Sequence, residues 1–67
     1  SKKEAILLKE LLDNRGKTVL NERIYELLWR DEEPKNSSLR VYINRLNRVL
    51  GEDSIKNIRG EGYKLEI

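Results

Sequence analysis

The sequence predicts an α+β fold in which three helices are followed by a C-terminal β-hairpin. Two amphipathic segments with helical spacing of their apolar residues come first, and a third, basic one follows. The chain then closes with two strand-like segments around Gly60-Glu61-Gly62. Because 67 residues without Cys or His allow one small core and neither a disulfide nor a typical zinc site, residues 1–67 are predicted to form a single domain.

The first helix is predicted to run from about Lys3 to Asn14. Its apolar stripe comprises Ala5, Leu8, Leu11 and Leu12, extended by Ile6 and Leu7. Gly16 suits the left-handed conformation that commonly follows a helix end. Residues 18–20 (Thr-Val-Leu) are predicted to form a short extended bridge to the next helix.

The second helix is predicted to begin after Asn21, a residue type favoured as an N-cap, and to end near Trp29. Residues 30–36 contain no apolar side chain to bury, and Pro34 disfavours helical geometry at Glu33. This stretch is therefore predicted to be an exposed loop, and its three consecutive acids (residues 31–33) make it chemically distinct.

The third helix is predicted to be capped by Asn36, Ser37 or Ser38 and to run to Leu50, with Gly51 ending it. Its core face comprises Leu39, Ile43, Leu46 and Leu50. The opposite face comprises Ser37, Val41, Asn44, Arg45 and Arg48, with Arg40 and Asn47 on one flank and Tyr42 nearer the core boundary.

Charge is distributed unevenly along the chain, although the net charge is only +2. Residues 1–34 and 52–67 each carry a net charge of −1, whereas residues 35–51 carry four basic residues and no acid. On charge alone, such a stretch fits an ordinary solvated helix face as well as a surface that attracts phosphates. The outward donors also suit a DNA major groove, where arginine can bridge guanine, asparagine can pair with adenine and a small apolar group can touch a thymine methyl.

The hairpin is predicted to pair residues 54–59 with residues 63–67, because the glycines between them supply the backbone freedom of a tight turn. Its apolar side comprises Ile55, Ile58, Tyr63, Leu65 and Ile67, and its outward side comprises Lys56, Asn57, Arg59 and Lys64. Three helices followed by a two-stranded wing is the order of a winged helix-turn-helix.

Other function classes are disfavoured by composition. Without His or Cys there is no recognisable nucleophile constellation, so the chain is predicted not to be an enzyme and to need no cofactor or metal. No small-molecule substrate is expected, and no apolar run approaches the length that crosses a membrane. A cytoplasmic location is inferred from the expected function and fits the absence of cysteine.

These segments together resemble the OmpR/PhoB-type effector domain of bacterial response regulators along essentially the whole chain. The matching landmarks are Lys3-Glu4 in a Leu-rich helix, the run 16–22 (Gly-Lys-Thr-Val-Leu-Asn-Glu), Leu28-Trp29, Val41-Tyr42-Ile43, Leu46 and the run 58–65 (Ile-Arg-Gly-Glu-Gly-Tyr-Lys-Leu). The terminal Arg-Gly-x-Gly-Tyr is the most specific of them, and the joint order of the landmarks makes coincidence improbable.

The resemblance implies sequence-specific binding of double-stranded DNA for transcription regulation, with the third helix (about residues 37–50) in the major groove. By resemblance, Val41, Asn44 and Arg45 contact bases, Ser37, Tyr42 and Asn47 contact the DNA backbone, Trp29 lies near a phosphate and Arg59 enters the minor groove. Arg40, Arg48 and Asn57 complete the predicted DNA-binding set. Trp29 and Tyr42 are predicted mainly to pack, with their polar tips free for phosphate.

Where a receiver domain precedes such a segment, as in response regulators, the resemblance implies that phosphorylation controls dimerisation on DNA. Related winged helices also occur in membrane-anchored regulators and one-component activators, and two-component control is the preferred hypothesis. In the family, the segment that corresponds to loop 30–36 can contact RNA polymerase, and we take that contact as a hypothesis for this loop. The chain departs from the family in lacking the usual N-terminal sheet, and it has Arg40 where an acid is frequent and Asn44 and Asn47 where arginine is frequent, so its preferred bases should differ. The alternative function is a winged-helix protein-interaction module, contacting RNA polymerase for example, without DNA binding of its own.

Overall fold

The computed structural model describes residues 1–67 and contains three helices and one three-stranded antiparallel sheet. In chain order the elements are α1 (Lys2–Asp13), β1 (Thr18–Leu20), α2 (Asn21–Leu28), α3 (Asn36–Leu50), β2 (Ile55–Ile58) and β3 (Gly62–Leu65). The predicted order of three helices and a C-terminal hairpin is confirmed, and no strand precedes α1 among these residues.

The sheet contains one strand more than the predicted two-stranded wing. Its order is β1-β3-β2, so β3 is central and β1 pairs with the edge that the hairpin leaves open. Val19 of β1 and Asn57 of β2 lie on either side of Tyr63. The predicted strands were too long, because pairing ends at Leu65, and Ile67, predicted to face the core, is exposed.

The core lies between the helices and one face of the sheet. Twelve hydrophobic residues form a single buried cluster. In α3 the predicted core face is confirmed, with Leu39, Ile43 and Leu46 buried and Leu50 partly buried. In α1 the buried residues are Leu7 and Leu11, whereas Ala5 and Leu12 are exposed. The broad apolar arc of α1 is compatible with several orientations of the helix, and packing against both α2 and α3 selects one of them.

The predicted caps of α2 and α3 are wrong. Leu20 and Lys35 occupy the N-cap positions, and neither helix start has a side-chain cap. Asn36 is engaged elsewhere, since its side-chain oxygen accepts a hydrogen bond from the Tyr25 hydroxyl, and the backbone N–H of Asn21 donates to the Glu61 carbonyl at 2.9 Å. The Asn36 side chain therefore serves a tertiary contact in place of a cap, and Asn21 contacts the wing turn through its backbone.

The two wing glycines meet different requirements, although the sequence pattern assigned both to turn flexibility. Gly60 has φ of +75°, which an L residue rarely adopts, and it supports the turn as predicted. Gly62 belongs to β3, and a Cβ there would lie 1.9 Å from the Val19 carbonyl oxygen. Gly62 is thus required because β1 approaches β3 closely.

Candidate nucleic-acid interface

The outward face of α3 is a continuous exposed surface. Its exposed residues are Ser37, Arg40, Val41, Asn44, Arg45, Arg48 and Val49. The helical period places this face opposite the buried core face, so packing fixes its direction. The face therefore presents guanidinium, amide and hydroxyl groups with small apolar side chains among them, and it contains no acid.

The arginines of α3 differ in how they are held. Arg45 donates from Nη1 to the Glu4 carboxylate at 3.2 Å, whereas Arg40 and Arg48 form no ion pair within the chain. The first turn of α3 carries no acid and no side-chain cap, which leaves backbone N–H groups open to solvent beside Ser37. Positive potential therefore extends from the helix start along its exposed face.

A polar groove separates α3 from the wing. It consists of two adjoining openings of about 340 Å³ and 200 Å³. The larger is lined by Arg40, Ile43, Asn44, Asn47, Asp53, Ile55, Lys56, Asn57 and Tyr63. Arg40, Asn57 and Tyr63 line both openings. The structure thus brings together Arg40, Asn44, Asn47 and Asn57 of the predicted set.

Tyr63 lies in this groove, although the sequence pattern assigned it only to the core. Burial raises the pKa of Tyr63, while the nearby positive charge of Arg40 opposes that rise. The phenol is therefore neutral at physiological pH. Its hydroxyl forms no hydrogen bond within the chain and is accessible to solvent. The strand register sets Tyr63 opposite the exposed Asn57, which the sequence pattern had assigned to the other side of the hairpin, so no signal in the sequence indicates this position.

The Asn47 side chain links α3 to the wing by hydrogen bonds. Its Oδ1 accepts from the Ile55 backbone N–H at 2.8 Å, and its Nδ2 donates to the Ile55 carbonyl at 3.4 Å. Both ends of the amide are therefore occupied in the free protein. Its predicted contact with the DNA backbone stays a prediction, and the role that the structure shows is to position β2 beside α3.

Trp29 and Tyr42 lie on the side of the molecule facing α2, outside the groove lining. The Trp29 ring is only 4% exposed and lies 6.3 Å from the Tyr42 ring, nearly parallel to it, and 6.1 Å from the Tyr25 ring. The Lys3 ammonium lies 5.7 Å from the Trp29 ring centre. The Trp29 indole N–H forms no hydrogen bond within the chain and is not sequestered from solvent, so packing dominates while this N–H stays free.

Arg59 lies beyond the groove, in the turn that joins β2 to β3. The turn is closed by a hydrogen bond from the Glu61 N–H to the Ile58 carbonyl at 2.8 Å. The Arg59 side chain is exposed and forms no ion pair within the chain. Arg59 is thus an exposed, unpaired cation on a hydrogen-bonded turn.

Three helices, a β-hairpin wing and an exposed acid-free third helix define the class of winged helix-turn-helix DNA-binding domains. Residues 1–65 match the family described as "Transcriptional regulatory protein, C terminal". The chain belongs to this family, the OmpR/PhoB-type DNA-binding domain of response regulators, and the resemblance seen in the sequence is confirmed.

Individual relatives agree with this assignment. The chain is 37% identical over 67 residues to the regulatory protein VanRB of Enterococcus faecalis, covering 98% of this chain and 30% of the relative. It is 41% identical over 70 residues to the transcriptional regulatory protein YxdJ of Bacillus subtilis, covering 97% of this chain and 31% of the relative. The chain thus spans about 30% of the length of these curated relatives.

Solved structures show the same fold. The response regulator DrrB of Thermotoga maritima, an OmpR/PhoB homologue, superimposes with a TM-score of 0.81 at 30% identity, covering all of this chain and 33% of DrrB. The DNA-binding domain of Bacillus subtilis CssR gives a TM-score of 0.79 at 26% identity, covering 97% of this chain and 75% of that one.

Family membership also bears on the excluded functions. The family comprises transcription regulators, which confirms the prediction that the chain is not an enzyme. None of the three helices is long and apolar enough to span a bilayer.

Proposed function

We propose that this domain reads a specific sequence of double-stranded DNA by placing α3 in the major groove. The observation that carries the proposal is the exposed, acid-free face of α3, which the core holds in a fixed direction. An α-helix with side chains is about 10–12 Å across, and the major groove of B-DNA is about 12 Å wide. At 15 residues, α3 is about 22 Å long, enough to follow the groove past several base pairs.

We assign base readout to the residues at the centre of this face. Arg45 and Arg48 can each bridge the two guanine acceptors, Asn44 can pair with adenine, and Val41 can contact a thymine methyl. Ser37 and Arg40 flank these residues, and we assign them to the phosphates together with the open N–H groups at the start of α3. We assign Tyr42 and the Trp29 indole N–H to a phosphate contact on the α2 side of this face.

The wing supplies the second contact. Arg59 is exposed, unpaired and carried on a closed turn, which suits insertion into a minor groove whose negative potential attracts arginine. Asn57 faces the groove between the wing and α3, so it can reach the DNA backbone between the two contacts. Asn47 supports this arrangement by fixing the spacing between α3 and β2.

Binding to a fluorescent duplex, followed by anisotropy over a range of salt concentrations, tests the proposal. If about four cations neutralise phosphates, the logarithm of the association constant should fall with the logarithm of salt with a slope of about −3.6. Arg48→Ala and Arg59→Ala should each weaken binding by about tenfold. Arg15→Ala is the matched control, because Arg15 is exposed and forms no ion pair but lies in the turn after α1. Equal affinities for all four proteins would refute the assignment.

The relatives named as regulatory proteins are about three times as long as this chain, and we propose that this chain is the output domain of a two-component response regulator. In that arrangement a receiver domain controls dimerisation, and two copies bind adjacent direct repeats of the operator. Size-exclusion measurements on the parent protein with and without a phosphoryl mimic test this, since the phosphorylated form should be dimeric and should bind repeats more tightly than a single site.

A second candidate function is a contact between loop 30–36 and RNA polymerase, which the charge of the loop favours. Every residue of this loop is exposed, and Asp31 and Glu33 form no ion pair, while Glu32 is 3.5 Å from the Lys3 ammonium. Replacing Asp31 and Glu33 by Asn and Gln should lower transcription activation in a reconstituted assay and leave duplex affinity unchanged. A parallel loss of duplex affinity would instead place the loop on DNA.

A further inference from the structure

One acidic side chain of α1 reaches the exposed face of α3. The Glu4 Oε1 accepts from Arg45 Nη1 at 3.2 Å, and the side chains of Glu4 and Arg45 are 14% and 58% exposed. Five other ion pairs occur in the chain, and none of them involves an arginine of α3. Glu4 is thus the one carboxylate held against the surface that we assign to base readout.

Glu4 is itself held in place by Ser1. Its backbone N–H donates to the Ser1 hydroxyl at 3.3 Å, and its Oε1 accepts from the Ser1 amino group at 3.3 Å, which together form a capping box at the start of α1. Partial burial raises the pKa of Glu4, but the hydrogen bonds from Ser1 and Arg45 outweigh it and hold that pKa below its ordinary value. The carboxylate that Arg45 meets is therefore both ionised and fixed.

This arrangement restricts Arg45 without saturating it. A guanidinium has five N–H donors in a planar fork, and Glu4 accepts from Nη1 alone. The remaining donors stay available, and the anchored end limits the rotamers from which they can approach a base pair. An arginine fixed in this way loses less conformational freedom on meeting guanine, and it adapts less readily to a wrong base pair.

We propose that Glu4 is a specificity-determining positioning residue that acts on DNA through Arg45. By orienting the guanidinium, Glu4 increases the difference in affinity between the preferred sequence and other sequences. This inference rests on the proposed function, because it requires α3 to face the bases.

The test compares Glu4→Gln with a matched control. Glutamine also completes a capping box, so the variant removes the charge while keeping the start of α1. Glu10→Gln is the control, because Glu10 lies on the same helix, is 18% exposed and pairs at 3.2 Å with Arg23, which belongs to α2. Both variants lose one negative charge, so any general gain in phosphate attraction is common to them.

A preferred duplex is first selected from a random-sequence pool with the wild-type domain. The dissociation constants for that duplex and for a scrambled duplex of equal composition are then measured at one salt concentration, and their ratio is the discrimination. Because one bidentate arginine supplies roughly 5- to 150-fold discrimination, Glu4→Gln should lower the ratio by about 3- to 10-fold, while Glu10→Gln should leave it within about twofold.

Arg45→Ala shows whether Glu4 acts through this arginine. If it does, Glu4→Gln added to Arg45→Ala should reduce discrimination no further, since the shared partner is already absent. An unchanged ratio for Glu4→Gln, or a full additional loss in the double variant, would overturn the inference while leaving the proposed function intact. A wild-type domain that prefers no sequence would overturn both.

Discussion

Gly62→Ala is predicted to be the most disruptive small substitution in the wing. The added Cβ would lie 1.9 Å from the Val19 carbonyl oxygen and 2.8 Å from the Val19 carbonyl carbon. Cβ contacts below 3.0 Å essentially do not occur, so β1 and β3 would have to separate by about 1 Å. The neighbouring atoms belong to backbone, and no side-chain rotation can relieve the clash.

The expected loss of stability follows from what that separation breaks. β1 pairs with β3 at three residues, and lengthening their hydrogen bonds by about 1 Å carries them beyond the normal range. Two or three such bonds contribute about 1 kcal/mol each, and partial exposure of the buried Val19 adds about 1 kcal/mol. The sum of about 3–4 kcal/mol is comparable to the total unfolding free energy of about 3–10 kcal/mol for a domain of this length.

Urea denaturation followed by tryptophan fluorescence measures this loss, because Trp29 is the only tryptophan and is buried. Gly60→Ala is the control: its Cβ would meet no atom within 4 Å, and its φ of +75° imposes only a left-handed strain of about 1–2 kcal/mol. Gly62→Ala should therefore lower the unfolding free energy by clearly more than Gly60→Ala. Equal losses would refute the close-approach explanation.

Three further perturbations test how the site is held together. Asn47→Ala should lower the urea unfolding free energy by about 1–3 kcal/mol, because it leaves a strand N–H of β2 unpaired, and a value near zero would contradict that role. Tyr25→Phe removes the hydroxyl that donates to the start of α3 and should cost about 1 kcal/mol in a thermal melt monitored by circular dichroism, with an unchanged melt as the opposing result. Hydrogen bonding to Lys64 lowers the pKa of Glu66, and the pKa of Glu4 is also lowered. Both carboxylates therefore contribute their full stabilisation at pH values above 4.5, the ordinary pKa. That contribution is lost as the pH falls below 4.5 through the lower folded-state pKa, and Glu4→Gln combined with Glu66→Gln should flatten the decline of the melting temperature between pH 5 and 3, roughly the titration range of these carboxyls.

The helices could be predicted because their signals are local. The spacing of Leu39, Ile43 and Leu46 identified the core face of α3, and the face opposite it followed from helix geometry alone. The caps were missed because Asn36 is bonded to Tyr25 of another helix, a contact that no local pattern encodes. The third strand was missed for the same reason, since β1 pairs with residues more than 40 positions later in the chain.

The candidate site likewise has features with a local sequence signal and features that depend on contacts between distant residues. Arginines and asparagines on the outward face of α3 could be identified from sequence, because a buried face fixes an exposed one. The engagement of Asn47 with Ile55 depends on where the wing docks, and the restraint of Arg45 by Glu4 joins residues 41 positions apart. The apolar pattern predicted that Tyr63 is buried, but it could not predict that Tyr63 also lines the groove. Both are true because a strand side chain can be buried at its ring and exposed at its hydroxyl.

Backbone-amide NMR can show whether α3 and the wing form one DNA-reading surface. The labelled domain is titrated with a mixed-sequence duplex of about 20–30 base pairs, two to three helical turns, at low and moderate salt. We expect salt-sensitive shifts concentrated on residues 37–48 and 57–62, with loop 30–36 little affected. A folded spectrum that is indifferent to DNA, or shifts confined to the loop, would refute a DNA-reading surface and favour a protein-interaction module.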